Sequence, residues 1–112
     1  MVLTPDGQIV VVLRPKPYAH VSVDADGLVL PAGATYHGGL LLADSGGAST
    51  VAVYDSLAGS GDLIDYFSAL TSARDRGVIE RGVVLRRGLY VDLGSNVDKF
   101  TVFYDPVPQE RD

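Results

Sequence analysis

A chain of 112 residues that is 46% hydrophobic has room for one domain and one core. Its lack of cysteine excludes disulfides, thiolate metal sites and a cysteine nucleophile. A net charge of −5 argues against general nucleic-acid binding, which needs a basic face to neutralise phosphates. No apolar run approaches the ~20 residues of a membrane span.

The first stretch, MVLTPDGQIVVVLRPKP, lacks the basic n-region and small-residue cleavage site of a signal peptide, so a chain made and used in soluble form is expected. Gln8 to Leu13 reads as a short strand that stops at Arg14-Pro15-Lys16-Pro17. Neither proline supplies a ladder N–H, so residues 1–17 are expected to form an N-terminal arm or edge strand with a stiff connector. Tyr18 to Val23 alternates and closes at Asp24-Ala25-Asp26-Gly27, a turn rather than a calcium loop, since the later ligands are missing. Leu28 to Leu30, Tyr36 to Ala43 and Thr50 to Asp55 follow as strands, separated by Pro-, Gly- and Ser-containing turns. In Asp62 to Thr71 the apolar positions suit a helical stripe as well as a strand. The neighbouring strands and the aromatic content favour a strand.

Ser72 to Gly77 reads as a polar loop, and Val78 to Leu85, Leu89 to Leu93 and Lys99 to Tyr104 as further strands. The tail at 106–112 reads as flexible. About eight short strands in residues 18–105, with no long amphipathic segment to cross between parallel strands, predict an all-β, antiparallel β-sandwich with jelly-roll-like or Greek-key connections.

A search for chemistry finds little that the turns do not explain. His20 and His37 lie 17 positions apart, without metal-ligand spacing of their own. Strand histidines are more often exposed or at interfaces. Asp outnumbers Glu by twelve to two and falls mostly at strand ends, where Asx-type hydrogen bonds account for it. Gly38-Gly39 and Gly46-Gly47 have no Lys-Ser/Thr pair after them, and Gly59-Ser60-Gly61 is not a nucleophile elbow. No catalytic, cofactor-binding or metal residue is assigned, and no cofactor is expected.

Two features point to contact instead. Arg74, Arg76, Arg81, Arg86 and Arg87 against Asp75 and Glu80 give residues 74–87 a net charge of +3, leaving −8 on the rest. Such a patch suits an acidic partner, although solvated strand and loop faces are the commonplace reading. Alternation in Leu89-Tyr90-Val91-Asp92-Leu93 sends Tyr90 to the face opposite Leu89, and in the last strand Phe103 points away from Phe100 and Val102. Aromatics on an outer face are typical of interfaces. The candidate interface residues are Arg14, Lys16, Tyr18, Arg74, Arg76, Arg81, Arg86, Arg87, Tyr90 and Phe103.

The order of elements in YHGGLLLADSGGASTVAVYDSLAGSGDLIDYFS and GVVLRRGLYVDLGSNVDKFTVFYD resembles small β-sandwich virion proteins of tailed phages and prophages. The likeness covers about 70 of the 112 residues, and the charged segment 72–82 departs from it. It implies a non-enzymatic virion structural protein, first a capsid decoration (cement) protein. Its partners would be the major capsid protein or other virion subunits, with homotrimers expected and neither nucleic acid nor membrane bound. Such a protein is made in the host cytoplasm and resides in the virion. The alternatives are a tail, neck or fibre component, a cellular carbohydrate- or ligand-binding sandwich, and a jelly-roll enzyme using His20, His37 and an Asp on a metal.

Overall fold

A computed structural model describes the strand pairing of residues 2–3 and 9–10, and residues 19–108 with their side chains. Ten strands occur among the described residues and no helix: β1 (Val2–Leu3), β2 (Ile9–Val10), β3 (Ala19–Val23), β4 (Gly27–Pro31), β5 (Thr35–Ala43), β6 (Ser49–Asp55), β7 (Asp62–Ala69), β8 (Arg74–Val84), β9 (Gly88–Leu93) and β10 (Val97–Asp105). No helix is therefore long and apolar enough to cross a membrane. β1 and β2 pair only with each other, and the remaining eight form two four-stranded antiparallel sheets in the orders β3-β10-β5-β8 and β4-β9-β6-β7.

These orders follow from one long ribbon. β3 pairs with β10, β4 with β9, β5 with β8 and β6 with β7, so residues 19–55 run antiparallel to 62–105 around the loop at 56–61. Successive segments of the ribbon alternate between layers, and β10–β5 and β6–β9 pairing knits it to itself. This is the jelly-roll arrangement. The expected all-β antiparallel sandwich is the fold, and Asp62 to Ala69 is a strand rather than a helix.

Period-2 alternation fills the space between the sheets. β6 buries Val51, Val53 and Asp55 and leaves Thr50, Ala52 and Tyr54 half-exposed. The inward residues of both sheets merge into one core that includes Leu30, Tyr36, Leu41, Phe67, Leu89, Val91, Phe100 and Val102. At its centre, Phe67 from β7 meets Phe100 from β10 edge-to-face, ring centroids 5.1 Å apart. Gly39 and Gly77 are directly paired beneath the two rings. A Cβ on Gly39 would lie 2.9 Å from Phe100 Cζ, and one on Gly77 would lie 3.1 Å from a Phe67 ring carbon. The bare backbone of both strands is thus the floor of the aromatic pair.

One boundary differs from expectation. The polar segment Arg74 to Gly77 is not loop; it forms the first turnless stretch of β8, paired with Gly39 to Leu42. Its inward positions are Asp75, whose Oδ2 accepts from Ser68 N at 3.0 Å, and Gly77, so it has no apolar period to read. Of the start of the tail, Val107 lies against the turn at Gly33. Residues 109–112 lie outside the described residues.

Removing the central ring tests this arrangement. Phe100→Ala is expected to lower stability by about 3–5 kcal/mol, read as the shift in the urea unfolding midpoint. Gly39→Val should be comparably damaging although it adds apolar volume.

Candidate functional site

The sandwich has two outer faces, and register fixes what each displays. On the β3-β10-β5-β8 sheet three rows cross the strands: His20–Phe103–Gly38–Val78, Ser22–Thr101–Leu40–Arg76, and Lys99–Leu42–Arg74. Every charged side chain in these rows is a cation, apart from histidine, in a chain whose net charge is −5. Leu40, Arg74, Arg76 and Phe103 line a common groove. Among the described residues the sole basic and acidic side chains within ion-pair distance of each other are His37 and Asp105, so Arg74, Arg76 and Lys99 have no carboxylate that close there. Asp75, between the two arginines in sequence, faces the opposite way.

The outer face of the other sheet has a different chemistry. Leu28, Tyr90, Tyr54 and Leu63 stand side by side across all four strands. Leu28 and Leu63 are more than half exposed, and exposed Tyr66 sits in the next row beside Ala52 and Asp92.

The ends of the strands hold three built polar contacts. Asp55 is only 5% exposed, and its carboxylate accepts from the backbone N–H groups of Arg86 (3.0 and 3.1 Å), Arg87 (2.9 Å) and Gly88 (3.3 Å). Burial on its own would raise the Asp55 carboxyl, but those donors and the Arg86 guanidinium outweigh it and hold the group below its ordinary value. Tyr36, fully buried, donates its hydroxyl to Asp65 Oδ2 at 2.8 Å across the sheets. Burial first, then the adjacent carboxylate and the hydrogen bond it accepts, push that phenol upward. His37 lies where β8 bulges: Tyr36 pairs with Val83 and Gly38 with Val78. Its Nε2 is 2.8 Å from Asp105 Oδ2 and its Nδ1 is 3.3 Å from the Ile79 carbonyl.

The sequence-predicted interface residues are dispersed by this fold. Arg74, Arg76 and Phe103 come together on one face, while Tyr90 is on the opposite sheet. Arg81 projects from the β8 bulge, and Arg86 and Arg87 occupy the β8–β9 turn with Asp55 and Asp62. Arg14, Lys16 and Tyr18 lie outside the described residues. The three histidine and aspartate positions of the metal-enzyme reading are not gathered: His37 meets Asp105, but His20 stands exposed on edge strand β3 opposite Phe103. Among the described residues no group of three His, Cys, Asp or Glu side chains is placed to hold a metal ion. Leu40 and Lys99 belong to the basic face and were not singled out by sequence, because only cross-strand register reveals them. No family model, curated protein or solved structure matches the chain.

The Asp55 contact generates a pH prediction. Its folded-state carboxyl is depressed, so its stabilisation is complete above the ordinary carboxylate value and is lost as pH falls through the lower folded value. Asp55→Asn replaces one acceptor oxygen by an amide and is expected to cost about 2–3 kcal/mol at neutral pH. Urea midpoints of the two proteins should converge below about pH 4.

Proposed function

We propose that this chain is a non-enzymatic structural protein of a phage virion, and within that class a capsid decoration protein that binds shell subunits as a homo-oligomer, a trimer in the first instance. The observation that carries this reading is the outer face of the β3-β10-β5-β8 sheet, where Arg74 and Arg76 share a groove with Leu40 and Phe103 and Lys99 lies beside Leu42, none of these cations having a carboxylate partner among the described residues. Unpaired cations beside apolar side chains on a broad strand face are contact chemistry. The jelly-roll order supports it by analogy, since capsid and lectin domains use that architecture. The order of motifs from Tyr36 to Asp105, similar to that of tailed-phage virion proteins, supports it further.

A carbohydrate-binding module is the second reading, and the Leu28–Tyr90–Tyr54–Leu63 row with Tyr66 and Asp92 is what favours it. Exposed phenol rings stack on pyranose faces, and a neighbouring carboxylate accepts from sugar hydroxyls.

Neighbouring genes and particle content separate the two. For the virion reading, capsid, portal or terminase genes should lie beside this one, and mass spectrometry should find the protein in purified particles. A metabolic operon and particles lacking the protein would sink it. Deleting residues 1–17 should leave the thermal unfolding of the sandwich in place while weakening co-sedimentation with shells. Loss of folding in that variant would make the N-terminal segment part of the core.

A further inference from the structure

The basic face has a shape as well as a sign. Phe103 and Val78 flank Gly38 in one row with no side chain standing between them, and Leu40, Arg74, Arg76 and Phe103 line a groove beside it. Leu40 lies in the next row, with Arg76 beside it and Arg74 one row further. Val78 is more than half exposed, and both arginines are exposed. The edge of β8 away from β5 has no strand neighbour in its sheet among the described residues. The result is an apolar notch next to two guanidiniums on alternate positions of an edge strand.

Resting on the assembly reading above and deepening it, we infer that this notch is the docking site for an extended acidic segment of a partner protein, which sets an apolar side chain against Leu40 and Phe103 and carboxylates on Arg74 and Arg76. Charge complementarity argues for the acidic character. The three rows carry no carboxylate in a chain of net charge −5: Asp75, the nearest in sequence, is committed to Ser68 N on β7, and Asp98 lines a separate hollow with Arg74 and Leu42 beyond ion-pair distance. A carboxylate is the planar acceptor that a guanidinium binds in bidentate fashion. The alternation of Arg74 and Arg76 on one face matches an extended segment, whose own side chains repeat every second residue. A polyphosphate fits less well. The notch offers an apolar subsite that a phosphate backbone does not use, and the acidic remainder of the molecule repels a long polyanion.

The probe is a fluorescein-labelled peptide alternating aspartate with leucine, compared by anisotropy with a peptide alternating lysine with leucine and with an oligothymidylate of similar length. The full chain should bind the acidic peptide, not the basic one, and more weakly as salt is raised. Arg74→Gln/Arg76→Gln should weaken that binding on the order of tenfold or more, with the thermal midpoint held. Phe103→Ser should weaken it as well, and Arg86→Gln/Arg87→Gln, at the far turn, should leave it unchanged. Absence of acidic-peptide binding, equal binding by the Arg74/Arg76 variant, or preference for the oligothymidylate would each overturn the inference. Particle content is read independently: protein found in virions without peptide binding removes only the notch, and peptide binding without virion association removes the assembly reading.

Discussion

Phe67 and Phe100 reach the centre of the molecule from different sheets, and their edge-to-face contact needs a floor with no side chains on it. Gly39 and Gly77 provide that floor, and they do so only because β5 and β8 are aligned with those two residues opposite each other. A slip of one residue would put Leu40 or Arg76 under the rings and turn every inward side chain of the strand outward. The same alignment that seats the rings therefore also places Leu40 beside Arg76 and Leu42 beside Arg74 on the outer surface. Core packing and surface chemistry are two readings of one register.

That coupling gives the molecule two unlike faces. One sheet presents cations around an apolar notch, and the other a lateral row of tyrosine and leucine with Asp92 nearby. A thin sandwich has no room to bury both sides of either sheet, so each outer face is free to carry contact chemistry without disturbing the core. Polar contacts at the strand ends hold the geometry: Asp55 gathers three successive amides of the β8–β9 turn, and His37 fills the bulge of β8 against Asp105.

Strands with an apolar inner face were readable in the sequence. Val51 and Val53, Leu89 and Val91, and Phe100 and Val102 alternate with small, polar or aromatic outer residues, and the structure buries them as that period requires. Arg74 to Gly77 was unreadable for a physical reason. Its inner positions are a carboxylate that secures a neighbouring edge and a glycine that makes way for a ring, so composition suggests loop where pairing makes strand. The basic face was half legible: Arg74, Arg76 and Phe103 each stood out, but nothing local joins residues on β8 and β10, or separates them from Arg86 and Arg87. His37 and Asp105 are 68 positions apart, and their contact follows from ribbon pairing alone.

The ribbon also sets an order in time. Ser49–Asp55 and Asp62–Ala69 face each other across a short loop, whereas Ala19 and Tyr104 stand at opposite ends of the chain segment that joins them. Closing the long loop directly would carry a large entropic cost, but each pair already formed shortens the loop that remains for the next. Such a chain is expected to close like a zip from the tip at residues 56–61, which would make β3, the strand that follows the N-terminal segment, the last to find its place. A strand that joins last is the first to open, so the mobility of the finished molecule is expected to concentrate at the edge where both ends of the sandwich meet.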